Sequence, residues 1–340
     1  MAGGAVREVL LPIGLATGIG SLPHEDPDEA VRFALERHPR LPAAPSLPRR
    51  SAVEGMIAQA AWGIPGVSVL PDGSLLVDEA AVDPDRPLTD LGVGGEPFVG
   101  LRTFLAAVRG RVTPFKIQLT GPVTLGIALH AVGVPADRAF PVASAAVLGR
   151  IREVLAATRA AAPGATPVVF VDEPGLVAAL DRSFPLPLDD ALDLVSSALA
   201  AIEGGAIAGL HCCGRADWQA VLQAGPQVLS LPVAAGAVEH AGALASFLER
   251  GGWIAWGAVP TDGPLGESAE ILWRRMMADW EAVVDAGCDP AQLVEQAIVT
   301  PACGLVGLDV PHAHRVANLT NELAQRLEAR AVHMGINLGA

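Results

Sequence analysis

Short apolar runs recur along the 340-residue chain, each closed by a Gly, Pro or polar loop and most followed by a helix-compatible segment. They are LATGIGS (15–21), GVSVL (66–70), FKIQLT (115–120), PVVFVD (167–172), AIAGLHC (206–212), QVLSLPV (227–233), WIAWGAV (253–259) and AIVTPAC (297–303). Helices are expected between them over 27–37, 51–61, 141–161, 188–203, 216–223, 240–250, 268–286 and 312–329. The runs are too continuously apolar for a sheet wet on one face, which favours parallel strands covered by helices. Eight alternating units predict an α/β fold, a (β/α)8 TIM barrel with an eight-stranded parallel sheet; a doubly wound sheet is the competing arrangement. Two irregular stretches, PRLPAAPSLPRR (39–50) and the Gly-, Asp- and Pro-rich 71–100, have barrel units on both sides. They read as long loops over the C-terminal mouth of a single domain, 1–340, with its core at about 15–327.

Composition narrows the partners. Hydrophobic residues make up 51%, much of it alanine suited to close helix packing, while aromatics are only 4% and tyrosine is absent. A formal charge of −14 spread along the chain disfavours nucleic-acid phosphates and anionic lipid, leaving small molecules as expected partners. The opening MAGGAVREVLLPIGLATGIGSLP carries Arg7, Glu8 and Pro12 and is not read as a signal peptide. The uncharged run 117–136 is long enough to test as a membrane span, but Gly121-Pro122 and Pro135 break it. A soluble cytoplasmic protein follows, with Cys212, Cys213, Cys288 and Cys303 as free thiols.

In a barrel, the carboxyl ends of the strands line the reaction site. Here those ends hold Ser21 and His24, the LTGPVT block, Asp172 and Glu173, His211 and Cys213, and Cys303. An extended GLHCCG places His211 and Cys213 on one face and Cys212 on the other. One imidazole and two thiolates suit Zn²⁺ and leave a fourth position open for substrate. Taken singly, each cysteine reads as a small core residue and His211 as a satisfied core histidine; the shared strand-end placement is what favours the metal. Adjacent cysteines form only a strained disulfide, and Cys288 sits at an expected helix end.

TGIGSLP, LTGPVTLG, VFVDEPGL, GLHCCG and TPACGL, in this order, resemble the C-terminal catalytic barrel of cobalamin-independent methionine synthase. They resemble more broadly the superfamily of uroporphyrinogen decarboxylase and the zinc methyltransferases acting on coenzyme M. The resemblance implies zinc held by His211, Cys213 and Cys303, and methyl or alkyl transfer to a small thiol bound as thiolate, with homocysteine the first candidate. It also implies Asp172, beside Glu173, at the substrate amino group, and Ser21 with neighbouring backbone amides, Gly20 included, at the carboxylate. From the residues alone, Asp172 could equally cap a following helix, Ser21 could serve its local turn, and His24 reads by default as an exposed loop residue.

The chain also departs from that family. Pro232 stands where the methionine synthases place a glutamate zinc ligand, and the tryptophan that follows their LTGPVT block to stack on folate is missing. Methylated folate and a corrinoid protein both stand as methyl donors; the missing tryptophan counts against a long polyglutamylated folate, and short members of the family imply another donor. The alternatives are a decarboxylase-like or tetrapyrrole-binding barrel without metal, against which the site loops offer only Arg49, Arg50 and Arg215 as cations for several carboxylates, or a non-catalytic paralogue.

Overall fold

The computed structural model of the chain describes residues 11–337, apart from 89–90, 182, 234 and 263–265. The first ten residues, on which the signal-peptide reading bears, and the ends of the expected 1–340 domain lie outside the described residues. In chain order the elements begin β1 (Leu15–Ala16), α1 (Pro27–Arg37), α2 (Met56–Ala61), β2 (Val67–Val69), β3 (Leu75–Val77), α3 (Val99–Ala107), β4 (Lys116–Thr120), α4 (Pro122–Ala131) and α5 (Ala136–Ala161). They continue β5 (Val168–Asp172), α6 (Leu188–Glu203), β6 (Ile207–His211), α7 (Trp218–Gln223), β7 (Val228–Pro232), α8 (Ala241–Glu249), β8 (Trp253–Val259), α9 (Ala269–Asp285), α10 (Pro290–Glu295), β9 (Ala297–Pro301) and α11 (Val310–His333). Among these no helix is long and apolar enough to cross a membrane.

The main sheet has seven strands in the order β1-β9-β8-β7-β6-β5-β4, every neighbouring pair parallel. The fold is thus α/β and TIM-barrel-like, but not the closed eight-stranded barrel expected. GVSVL is the misplaced strand: PDGS turns the chain straight back, so β2 pairs antiparallel with β3 in a separate hairpin. In the gap between β1 and β4 lies part of the proline-rich stretch expected as a mouth loop. It makes only isolated parallel bridges, Ser21 with Ser46 and Ala43 with Lys116. Lys116 N donates to Pro42 O at 2.8 Å, Ala44 N to Lys116 O at 2.9 Å, and Ser46 N to Gly20 O at 3.2 Å. Pro42 and Pro45 have no N–H to give, so no continuous ladder forms there.

Strand alternation divides the apolar residues into two layers. Leu15, Val168, Phe170, Ile207, Val228, Trp253, Ala255 and Ile298 pack together inside the curl of the sheet. Val169, Val171, Leu210, Leu229, Leu231, Ile254 and Val299 face outward to the helices. Each large side chain so buried stabilises the fold by roughly 1.5–3 kcal/mol. Both faces of the sheet are dry, which is why the strands read as unbroken apolar runs.

Candidate functional site

Towards the carboxyl ends of the strands the inner face turns polar. Register aligns Asp172 of β5 with His211 of β6, and His211 with Ser230 of β7. His211 is buried, and its Nδ1 lies 2.9 Å from Ser230 Oγ. That bond engages one ring nitrogen and leaves Nε2 for another partner.

Beyond the ends of β6 and β9 stand Cys213 and Cys303, both partly buried. A hydrogen bond between the two thiols, then one from His211, holds the Cys303 thiol well below its ordinary range. The same bond to Cys303, and then burial, push Cys213 upward. Cys212 is fully buried against the helix layer, where burial raises it to about 11, and Cys288 is buried with its thiol 3.5 Å from Asp289 O.

The other predicted residues separate into two groups. Ser21 lies against the segment that follows Cys303: its carbonyl accepts from Leu305 N at 2.8 Å, and a side chain on Gly304 would collide with its Oγ. Gly20 has φ 144°, and a Cβ there would strike Gln118, so only glycine lets this turn lie so close. Asp172 caps no helix; its Oδ1 is cut off from solvent with no hydrogen-bond partner. Burial raises its pKa, while His211 and then Lys116 pull it down.

Glu173 is placed differently from its expected substrate contact. Fully buried, it accepts from Val123 N and Thr124 N at 2.8 Å each and from Thr124 Oγ1 at 2.5 Å. Its carboxylate thus closes the N-terminus of α4, satisfying amides that have no partner within the helix. Gly121 makes room, since a Cβ there would collide with the Glu173 carboxylate. The LTGPVT and DEP blocks are therefore two halves of one structural joint. His24 also differs from expectation: it is buried, its ring 5.1 Å from Phe33 and 6.4 Å from His314.

Ser230 and Lys116 were not singled out from the sequence. Their signal is a polar residue within an apolar run, at the middle of VLSLP and near the start of FKIQLT.

A cavity of about 640 Å³ opens beside the cysteines, walled by Cys213, Cys303, Pro232, Gly257, Ala258 and Leu272 among others. A Cβ on Gly257 would come within 2.9 Å of Ala302 Cα and 3.0 Å of Pro232 Cα, so this part of the wall is formed by closely packed backbone. The donor set matches zinc chemically, one imidazole and two sulfurs meeting at Cys303. As the side chains lie, they hydrogen-bond one another, and no three His, Cys, Asp or Glu among the described residues form a ready metal-binding group. Glu239 supplies no fourth donor; it is exposed and pairs with Arg215 at 2.5 Å.

No protein-family model matches the sequence, and neither does any curated protein. Among solved structures the chain is similar to one from Listeria monocytogenes provisionally named a vitamin-B12 independent methionine synthase, with a TM-score of 0.56 and 12% identity over 89% of this chain and 86% of that one. At that identity the likeness is one of fold.

Proposed function

We propose that the chain transfers a methyl or alkyl group to a small thiol, with zinc held by His211, Cys213 and Cys303 and homocysteine as the first acceptor. The observation that carries this reading is the meeting of Cys213 and His211 at Cys303, from parts of the chain some ninety residues apart. Bound there, zinc would supply deprotonation of the acceptor thiol at neutral pH while leaving its sulfur nucleophilic. The chain's own part is to orient and enclose. Ser230 fixes the His211 ring, Asp172 Oδ1 offers a buried acceptor to a substrate ammonium, and the Ser21 turn faces the same space as Cys303. The acceptor sulfur then forms a bond to the donor's alkyl carbon as that carbon's bond to its carrier breaks. The cavity gives a bulky donor room beside the sulfurs, and its described lining holds no aromatic ring to stack a pterin, which favours a corrinoid protein over methylated folate.

The metal-free alternative with a polycarboxylate ligand finds little support. Arg49 donates to Val306 O, Arg50 pairs with Glu54 and Glu96, and Arg215 with Glu239. Pro232 at the fourth-ligand place is what a non-catalytic paralogue would carry, and one experiment separates the two readings. Protein purified without chelator should carry one zinc per chain, falling at least severalfold in Cys213→Ser and in Cys303→Ser. A native chain that folds but holds no stoichiometric metal at added zinc would overturn the proposal.

A further inference from the structure

Lys116 opens β4 with its side chain inside the curl of the sheet, 1% exposed. Withdrawing an ammonium from water is unfavourable unless an anion compensates. Its hydrogen bonds run to uncharged acceptors, Ile19 O at 2.5 Å and Gln118 Oε1 at 3.2 Å, and it lies 4.8 Å from the centre of the Phe170 ring. The charge that attracts it is the Asp172 carboxylate on the adjacent strand, and against that attraction burial lowers the lysine to about 8.

The same interior holds polar atoms waiting for partners. Thr17 Oγ1, Asp172 Oδ1 and Thr300 Oγ1 are all buried without a hydrogen bond. Thr17 and Thr300 lie two residues beyond the inward-facing Leu15 and Ile298, which are themselves paired. Buried polar atoms in a native fold are almost always satisfied, so such a group marks the place of a polar ligand or water. Lys116 reaches both sides of this space. Through Ile19 O it grips the peptide that leads into Gly20 and Ser21; through its charge it faces Asp172. Gln118 braces the arrangement, donating to Ala44 O at 2.8 Å and filling the space where a side chain on Gly20 would lie.

We propose that Lys116 is a positioning residue that joins the Ile19–Ser21 turn and Asp172 into one subsite for a zwitterionic amino-acid thiol, making the chain select such thiols over bare ones. The inference rests on the amino-acid reading of Asp172 and Ser21 given above.

The test is calorimetric binding of homocysteine and of 2-mercaptoethanol to the full, zinc-loaded chain. Lys116→Met should weaken homocysteine by about tenfold or more and 2-mercaptoethanol by less than about twofold, with Lys116→Arg restoring much of the loss. Gln118→Ala, which keeps the charge but removes its brace, should lower the ratio of the two affinities by about threefold and carries the test should Lys116→Met not fold. An unchanged ratio in the folded variants overturns the inference and leaves the amino-acid reading standing. Equal weakening of both thiols would make Lys116 a general structural element and also overturn it. A native chain that binds both thiols alike removes the amino-acid reading and this inference together.

Discussion

At the scale of single residues, the site depends on a few polar side chains whose partners are well defined. His211 has one nitrogen occupied by Ser230, so Ser230→Ala should leave the fold intact and lower zinc affinity by roughly tenfold, measured by competition with a chromophoric chelator. Asp172 carries an unpartnered buried oxygen, and Asp172→Asn keeps its shape while removing its charge. That change should weaken homocysteine by about tenfold in a binding titration and leave 2-mercaptoethanol nearly unaffected; equal binding of homocysteine by native and variant chains would remove the ammonium contact. The residues that carry these expectations were unequally visible in the sequence. His211, Cys213 and Cys303 stand out because cysteine is scarce and sits at strand ends. Ser230 does not, because a lone serine in an apolar run acquires its meaning only through its register opposite His211.

At the scale of elements, the joint between β5 and α4 governs how the mouth is built. Glu173 spends both oxygens on the first turn of α4, and burial lifts its carboxyl from 4.5 to about 7 despite the Thr124 and Val123 hydrogen bonds. Between those values the folded chain keeps a proton that the unfolded chain has released. Stability should therefore fall as pH rises from about 4.5 to about 7 and level off above that. Glu173→Gln should cost about 1–3 kcal/mol, because a carboxamide offers one acceptor oxygen to three donors, and should flatten the slope in that window. Urea unfolding of both chains at several pH values reads the difference, and equal slopes would assign the pH dependence elsewhere. The sequence made Glu173 look like a ligand contact because it adjoins Asp172. Alternation along β5 turns the two side chains to opposite faces, so the nearer neighbour in sequence belongs to the helix layer.

At the scale of the whole molecule, the alternation of apolar runs and helical segments was enough to read a parallel α/β sheet of TIM-barrel type. It was not enough to say which runs join the sheet. GVSVL has the composition of a strand and forms one, but PDGS folds it into a local hairpin; PAAPS has the composition of a loop and spans the gap between β1 and β4 with the few donors its prolines leave. Long-range pairing decides such cases, and local propensity does not report it. Because an apolar layer fills the sheet interior beneath the site, chelation should strip zinc yet leave the chain folded, with its far-ultraviolet dichroism unchanged and its Tm lowered. Loss of secondary structure on chelation would instead make the metal a structural one. The central claim is that one imidazole and two sulfurs, brought from β6 and β9, surround a single ion and admit a third sulfur. Zinc K-edge absorption on the purified chain tests it most directly: the account predicts one nitrogen at about 2.0–2.1 Å and two sulfurs at about 2.3 Å, with one more sulfur on adding homocysteine. A shell of nitrogen and oxygen alone, unchanged by the thiol, would contradict it.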